Sequence, residues 1–448
     1  MREESKPKRL SLFSVTWPIF FEIFLLMLIG NVDILMLSQY SDDSVAAVGV
    51  ANQLVVIAIT VFGFVASGVS VIIAQYIGAQ KNEDAKQASV VSMTFGLGMG
   101  VLISVVFVFL RMPLLRLMNL EPELMPEAST FILIVGGFIF IQAILLTAGA
   151  ILRSYGFTKD MLAVTLIMNV FNVIGNAIVL FGLFGLPYFG VTGLAWVTAL
   201  SKVLGLVLAI FMLVRRIPGI FKSITFKKFP FHYGKSILKI GFPAAGSNIS
   251  YQSYQLMIIA FVTTLGTTAL TTKMYTRVIN WFIVLSTIAL AQGASIIIGQ
   301  LAGAKKYEEI YRRGTKYLKI GITASFVGAI ILFIIADPVL SIFTDNPDIL
   351  LMGRLIFALG IILEPGRAFN IVLANALRAT GDVKFPVYVD IIFMWGIGVG
   401  LGFLFGIVFG WGLIGIMIAA IMDEWIRGII MTFRWRSRIW QTKGVVTD

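Results

Sequence analysis

The sequence has very few residues of the types that build metal sites and covalent active sites. It contains no cysteine, which excludes disulfide frameworks, thiolate zinc sites and cysteine catalysis. It contains one histidine, His232, so a cluster of imidazole ligands is impossible and a Ser-His-Asp triad would need His232 itself. No G-x-x-x-x-G-K-[ST] segment is present, so an ATP-binding loop of that type is missing. We therefore expect no enzyme and no ATP-driven pump.

Charged residues are also scarce. They make up 13% of the 448 residues, against about a quarter in soluble proteins, while 58% of residues are hydrophobic and the mean hydropathy is +0.94. This composition excludes an ordinary cytosolic protein, and it is too apolar for a disordered or fibrous chain. The formal net charge of +12 could indicate a nucleic acid or an anionic membrane surface as partner, and the positions of the charges decide between them.

Twelve long apolar runs, separated by Gly, Pro and charged residues, account for most of the chain. A helix needs about 20 mostly apolar residues to cross a bilayer, and barrel strands are much shorter than these runs. The runs lie near 12–37, 45–77, 88–110, 128–150, 162–184, 190–214, 237–262, 268–302, 317–336, 350–375, 386–408 and 411–433. The sequence therefore predicts an all-α polytopic membrane protein with twelve transmembrane helices.

Lysine and arginine are concentrated in alternate connecting segments. Of the 35 basic residues, 27 lie on one side, whereas opposite loops such as SQYSDDS and TDNPD are acidic or neutral apart from Arg111 and Arg116. Cytoplasmic loops carry the excess of Lys and Arg, so we expect both termini in the cytoplasm and the chain in the cell membrane. Most of the net charge then reflects topology, and we expect no nucleic-acid partner.

The two halves of the chain match at a fixed offset of 225 residues. The three matches lie far apart in the sequence, which makes coincidence improbable. They are Pro18 with Pro243, GVSVIIAQYIGAQKNED (from Gly68) with GASIIIGQLAGAKKYEE (from Gly293), and ILRSYGFTK (from Ile151) with ALRATGDVK (from Ala376).

This repeat predicts two pseudo-symmetric six-helix lobes. An even number of spans gives both copies the same orientation, as in secondary transporters whose two bundles rock about a central cavity. We expect an N-lobe over residues 1–216, a cytoplasmic linker over 217–236 and a C-lobe with a short tail over 237–448. The energy for transport would come from an ion gradient or from the substrate's own gradient.

Together these features resemble the multidrug and toxic compound extrusion family over nearly the whole chain. The resemblance rests on the two lobes, the spacing from Pro18 to Asp33, the G-x-x-x-x-x-Q-x-x-G-A-x-(K/N) segments after spans two and eight, and the L-R-x-x-G-x-x-K segments after spans four and ten. It implies a V-shaped twelve-helix exporter that exchanges cationic or amphipathic drugs for inward H⁺ or Na⁺. We expect a monomer in the lipid bilayer, with the coupling ion in place of any cofactor.

One carboxyl group lies deep in the first span. Asp33, in LIGNVDILML, has no basic neighbour in the sequence, and an exposed charge in hydrocarbon costs about 3 kcal/mol or more. Burial without a cation favours the protonated form, which suits a group that alternately holds and releases a proton. The same carboxylate could be an oxygen ligand for Na⁺, and a simpler interpretation is a helix-packing Asp paired with a buried amide. The resemblance favours function, because family members carry an essential Asp at this spacing from the proline.

A second acidic residue, Glu22, lies eleven residues before Asp33. Eleven residues are close to three helical turns, so the two carboxylates would share one face of span one, about 16 Å apart. Glu22 is a candidate for lining the cavity. The alternative is that it is hydrated near the cytoplasmic end of the span.

Polar residues in spans five and six complete the candidate site. Asn172 and Asn176 are one turn apart and face the same way. In the branch that resembles DinF-type exporters, an Asn and an Asp at this spacing join the span-one Asp, together with a Thr that matches Thr198 here. Asn176 replaces the second carboxylate, which weakens the expectation of Na⁺ binding and favours a single proton. Interhelical hydrogen bonding is the alternative for each Asn.

The second lobe differs from the NorM-like branch. That branch carries acids at two positions which are Tyr251 and Arg367 in this chain, so we expect its C-lobe cation site to be missing and the chain to be closer to DinF-type members. Arg367 follows Glu364 by about one turn, so an internal ion pair is the preferred interpretation. Both Tyr251 and Arg367 are candidates for lining the cavity.

Other charges inside the C-lobe spans and span six have different interpretations. Asp423 and Arg427 are four residues apart in span twelve and are expected to pair. Asp390 in span eleven and Lys202 in span six have no obvious partner in the sequence, and either could face the cavity. Asp390 is therefore the fourth cavity-lining candidate, after Glu22, Tyr251 and Arg367.

The sequence thus favours an ion-coupled multidrug antiporter that works by alternating access. An alternative is a flippase for lipids or lipid-linked saccharides with a related fold. Its cavity should be richer in arginine, and Arg367, Lys202 and Arg277 are the few candidates. A channel or a non-transporting receptor is a third possibility, against which the repeat and the single buried acid argue.

Overall fold

The computed structural model is almost entirely helical. It describes residues 10–185, 187–222 and 230–445. Two features of the sequence analysis lie outside the described residues. They are the basic residues before residue 10 and the middle of the predicted linker, residues 223–229.

Within these described ranges, twelve helical spans follow one another, as the sequence predicts. They are α1 (Leu12–Ser38), α2 (Asp42–Gly78), α3 (Asn82–Leu117), α4 (Met125–Gly136 and Ile139–Ser154), α5 (Thr158–Phe181), α6 (Gly190–Arg216), α7 (Phe231–Thr264), α8 (Thr267–Gly303), α9 (Tyr307–Ile334), α10 (Pro347–Ala379), α11 (Lys384–Val408) and α12 (Gly412–Arg436). A short helix, Ala336–Leu340, follows α9.

The spans differ in how apolar they are. In the part of the chain that the structure describes, nine helices are long and apolar enough to cross a membrane, and the bent pair that forms α4 is a tenth. The two segments of α4 meet at 44°, next to a π-helical stretch at Ile132–Gly136, which is a common cause of sharp bends. The remaining two, α7 and α12, are 34 and 25 residues long but carry more polar side chains. Both correspond to predicted apolar runs, 237–262 and 411–433.

The spans form two compact units, each with its own hydrophobic core. One unit comprises Trp17–Gly241, and its core joins α2, α3, α4 and α6 with Leu37 of α1. The other comprises the chain from Phe242 onwards together with the N-terminal segment that ends at Thr16. Its two largest cores lie around Trp435 and around Tyr254.

The boundaries of the two units differ from the predicted lobes. The last part of the predicted linker is already helical, because α7 begins at Phe231, and the first turns of α7 belong to the first unit. There the hydroxyl of Tyr233 donates to Asp84 at 2.6 Å, and His232 stacks on the Tyr233 ring. In the second unit, Leu10 and Leu12 pack against the core around Trp435. The first turns of α1 and α7 are therefore exchanged between the two halves of the sequence.

Glycine residues allow the first turns of α7 and α1 to pack closely in their units. A Cβ on Gly68 of α2 would lie 2.6 Å from the carbonyl oxygen of Ile237, so α7 and α2 approach backbone to backbone. Its repeat partner, Gly293 of α8, would bring a Cβ to 2.5 Å from Oγ1 of Thr16. Contacts this close exclude any larger side chain without a shift of the helices. The matching GVSV and GASI segments therefore serve the same packing role in each unit.

Candidate functional site

The predicted residues of the first unit come together around Asp33. Nδ2 of Asn176 donates to Oδ1 of Asp33 at 2.7 Å and to Oδ1 of Asn172 at 3.2 Å. Asn172 and Asn176 are buried, while Asp33 is partly exposed. The cluster thus joins a carboxylate of α1 to two amides of α5.

A third asparagine anchors α5 to α1. Asn169 precedes Asn172 by three residues and Asn176 by seven, so all three lie on one helical face. Nδ2 of Asn169 donates to the backbone carbonyl of Leu25 on α1 at 3.0 Å. The sequence interpretation did not include Asn169, although its spacing is the same signal that selects the other two. It fixes the α1–α5 contact on which the Asp33 hydrogen bond depends.

In the described residues, α6 places a positive charge near Asp33 rather than a hydrogen bond to it. Thr198 is partly buried, and its backbone carbonyl accepts from Ser201. Within the described residues its hydroxyl makes no hydrogen bond to the Asp33 cluster. Lys202, one turn further on, acts electrostatically on Asp33, although the two make no direct ion pair in the described part of the chain. Lys202 is thus the basic neighbour that Asp33 lacks in the sequence.

Glu22 lies in an ion pair. Oε1 of Glu22 accepts from Nη1 of Arg153 on α4 at 2.7 Å, and Glu22 is only 5% exposed. Arg153 belongs to the L-R-x-x-G-x-x-K segment, lies in the last turn of α4 and turns inward to this carboxylate. The pair therefore ties α1 to α4 within the first unit.

The second unit contains a larger charged network. Arg367 donates to both carboxylate oxygens of Glu364, at 2.8 and 3.0 Å, as the spacing predicts. Arg427 of α12 pairs with Asp423 at 2.6 Å and with Glu424 at 3.0 Å. Nε of Arg367 also lies 3.5 Å from Oε1 of Glu424, so these ion pairs connect α10 with α12.

Asp390 joins α11 to this network. It pairs with Arg378 of α10 and with Arg427 of α12, both at 3.1 Å, and accepts from the hydroxyl of Ser247 at 2.5 Å. Its partners come from three other helices, which is why none was visible near it in the sequence. Tyr251, whose hydroxyl accepts from Gln255 at 2.7 Å, lines the same cavity as Arg367 and Asp390.

Comparison with known proteins identifies the family. The family model described as MatE matches residues 18–178 and again residues 243–404. The two matches begin at Pro18 and Pro243, the prolines that mark the internal repeat. The chain belongs to the MatE family. The predicted resemblance is thereby confirmed, and the protein is a membrane transporter and not an enzyme.

Individual relatives of this MatE transporter are similar over their whole length. The "Uncharacterized transporter YisQ" of Bacillus subtilis is 47% identical, with 98% of this chain and 96% of that protein covered. The "Probable multidrug resistance protein NorM" of Thermotoga maritima is 24% identical over 100% of this chain and 96% of its own. The crystal structure of the Vibrio cholerae MATE transporter VcmN in the bent form has the same fold, with a TM-score of 0.88, 19% identity and coverage of 96% and 97%.

For this MatE transporter the structure separates two polar clusters. Asp33, Asn172 and Asn176 come together in the first unit, with Lys202 nearby. The cavity-lining candidates Tyr251, Arg367 and Asp390 come together in the second unit. The predicted closeness to the DinF-like branch stays a prediction.

Proposed function

We infer that this transporter is an ion-coupled exporter of cationic and amphipathic compounds, with H⁺ as the coupling ion and Asp33 as its carrier. Relatives named as multidrug resistance proteins support export of small compounds. The observation that carries the proposal is the hydrogen bond of 2.7 Å between Asp33 and Asn176 on a membrane-spanning helix. We further infer that the chain lies in the cell membrane as a monomer, with both termini in the cytoplasm.

Asn176 is suited to both protonation states of Asp33. Its amide NH₂ donates to the carboxylate, while its own Oδ1 is buried and has no hydrogen-bond partner among the described residues. That oxygen is available to accept from a protonated Asp33 after rotation of either side chain. A polar neighbour that can donate or accept keeps both states satisfied, so neither state is trapped.

Competition for Asp33 provides the coupling. A proton and a cationic substrate both neutralise the same carboxylate, so binding of one favours release of the other by linkage. Protonation would favour the conformation that releases the drug, and loss of the proton to the cytoplasm would restore the drug-binding state. No separate coupling element is needed.

The charges near Asp33 favour H⁺ over Na⁺ as the transported ion. Na⁺, like other hard cations, prefers several oxygen ligands and a negatively charged site. Asp33 supplies one carboxylate, and the positive charge of Lys202 opposes binding of Na⁺ beside it. A proton needs only one oxygen. Asp33 would be the carboxylate ligand if Na⁺ were transported instead.

Transport in membrane vesicles tests the proposal. Ethidium is added outside everted vesicles that contain the protein. Its uptake into the vesicles is then measured under an imposed pH gradient, an imposed Na⁺ gradient, or neither. We expect uptake with the pH gradient and background uptake with the Na⁺ gradient alone. Uptake driven by Na⁺ alone would replace H⁺ as the coupling ion, and uptake driven by neither gradient would remove the antiport function.

Replacing Lys202 by methionine tests the role proposed for its charge. Met has a similar length but no charge, so the Lys202→Met site would hold an uncompensated carboxylate beside Asn176. Removing a like charge near a bound cation is worth about 1–2 kcal/mol at a partly buried site, so we expect ethidium to bind roughly tenfold more tightly. Na⁺ should also begin to inhibit that binding. Lys202→Arg keeps the charge and is the control, and unchanged ethidium binding in Lys202→Met would contradict the proposed role.

A further inference from the structure

The second unit contains an open cavity in which charged side chains lie among apolar ones. Its volume is about 210 Å³, and helices α7, α8, α10, α11 and α12 supply its lining. Pockets for drug-sized ligands usually measure about 300–1,000 Å³, so this cavity fits one polar end of a ligand. The charged lining side chains are three arginines and two acids: Arg367, Arg378, Arg427, Asp390 and Glu424.

One of the three arginines has an unused hydrogen-bond donor. Arg427 directs its guanidinium at three carboxylates, and Nε of Arg367 lies 3.5 Å from a carboxylate oxygen of Glu424. Nε of Arg378 is buried and has no hydrogen-bond partner among the described residues. Buried polar atoms are nearly always satisfied, so this donor points to a ligand that offers an acceptor.

The internal repeat explains why this space exists beside Arg378. In the first unit, the repeat-equivalent Arg153 is held by the carboxylate of Glu22. The residue equivalent to Glu22 in the second unit is Ser247, which is two carbons shorter and offers only a hydroxyl at 3.3 Å from Arg378. Asp390 supplies one carboxylate oxygen to the same Nη2 atom, and Nε is left over. The second unit therefore has no carboxylate at residue 247, and the carboxylate partner of Arg378 comes from Asp390 instead.

The charge balance of the cluster restricts the ligand further. Five basic and four acidic residues interact in this region, so the cluster has one net positive charge when all are ionised. They are Lys273, Arg277, Arg367, Arg378 and Arg427, with Glu364, Asp390, Asp423 and Glu424. One ligand carboxylate balances this charge, whereas a dianion leaves a negative charge uncompensated. Trp281 and Tyr251 also line the cavity and offer aromatic faces to a cationic part of the same ligand.

We propose that this cavity binds the carboxylate end of zwitterionic amphiphiles, with the guanidinium group of Arg378 as its donor and the positive charge of Arg367 in the same lining. The aromatic side chains of Trp281 and Tyr251 contact the delocalised cationic part of the same ligand. The inference rests on the proposed function in one respect: the bound zwitterion is a substrate for export. Binding itself requires no transport and is measured separately.

Tetramethylrhodamine and its methyl ester form a matched pair of probes. The first is a zwitterion at neutral pH, and esterification removes its carboxylate and leaves the cation. Binding of each dye to the purified full-length protein in detergent is followed by fluorescence anisotropy. Charge-assisted hydrogen bonds to one carboxylate are expected to make the zwitterion bind tenfold or more tightly than the ester.

Three variants connect this preference with the cavity. Ser247→Glu introduces the carboxylate that the first unit has, so it should occupy Arg378 and reduce the affinity for the zwitterion at least tenfold. Ser247→Ala lacks that carboxylate and is the matched control. Arg367→Met removes a positive charge from the same lining and should also reduce zwitterion affinity tenfold, whereas Arg354→Met, an exposed position on the same helix, should not. Ester affinity should change less than threefold in all of them, which shows that the variants are folded.

Several results would overturn the proposal. They are failure of the zwitterion to bind, equal affinity for the two dyes, or a zwitterion preference that survives both Ser247→Glu and Arg367→Met. Displacement of the dye by pyrophosphate at lower concentration than by benzoate would indicate a dianion site, as expected for a flippase of lipid-linked saccharides. If the zwitterion binds as expected but neither dye is transported under a pH gradient, the cavity stands and the proposed export function fails.

Discussion

Replacing Asp33 by asparagine is expected to reduce proton-driven ethidium transport to the background of vesicles without the protein. Asparagine has the same shape as aspartate and can still bond to Asn176, but it neither binds a proton nor attracts a cation. The lost carboxylate–cation interaction is worth about 3 kcal/mol, on the order of a hundredfold in ethidium affinity. Initial rates of ethidium uptake under an imposed pH gradient measure the effect, with the amount of protein in the vesicles determined in parallel.

Two variants serve as controls for Asp33→Asn. Asp43→Asn changes an exposed carboxylate in the first turn of α2 and should leave transport unchanged. Asp33→Glu keeps the charge and should retain part of the activity. Normal uptake in Asp33→Asn would refute the role of Asp33 as proton carrier, and another acid in the membrane would then have to be sought.

Replacing Arg427 by methionine is expected to have the largest effect on stability. Its guanidinium pairs with Asp390 at 3.1 Å, with Asp423 at 2.6 Å and with Glu424 at 3.0 Å, and the residue is 4% exposed. The Arg427→Met protein would bury three carboxylates without their shared cation. Breaking a buried ion pair typically costs about 3–5 kcal/mol. We expect a large fall in the midpoint of thermal unfolding in detergent, and little folded protein in the membrane.

The same helix provides the matched control for Arg427→Met. Arg436 is exposed in the last turn of α12 and forms no ion pair in the described part of the chain, so Arg436→Met should unfold like the unchanged protein. Adding Asp423→Asn to Arg427→Met removes one of the uncompensated charges and should restore part of the stability. An unfolding midpoint of Arg427→Met equal to that of Arg436→Met would contradict a structural role for the network.

Apolar runs punctuated by Gly, Pro and charged residues were sufficient to predict the twelve spans. A stricter hydropathy test selects only nine or ten of them in the described residues, and leaves out α7 and α12, which carry polar side chains inside the span. The internal repeat agrees with the twelve, since each of these two is the counterpart of an apolar span in the other half. The exchange of the first turns could not be predicted, because apolar patterning shows that a segment is buried but not which core buries it.

The candidate site was predictable where its residues share one helix. The one-turn spacing of Asn172 and Asn176 was enough to predict a common face, and the Glu364–Arg367 and Asp423–Arg427 pairs followed in the same way. Contacts between helices were not predictable from spacing. Lys202 approaches Asp33 from α6, and its position one turn after Thr198 was the available signal.

Basic residues at the ends of helices were also difficult to interpret from the sequence. The excess of Lys and Arg on one side of the membrane predicts topology, but it counts every basic residue near that side. Arg153 and Arg378 lie in the last turns of their helices, and both turn inward to buried carboxylates. Their matching positions in the L-R-x-x-G-x-x-K segments indicate a structural role that a count of charges cannot distinguish.

The exchanged first turns of α1 and α7 affect when each unit can finish folding during synthesis. The first unit extends to Gly241. When the ribosome has completed spans α1 to α6, this unit still lacks part of its packing until the start of α7 has been made. Conversely, the segment Leu10–Thr16 is made at the beginning, but its partners around Trp435 emerge near the end. Domains usually fold in the order in which they are translated. In this transporter neither half is complete alone. A break in the linker would leave the first fragment without residues 231–241, about three helical turns, and the second fragment without residues 10–16.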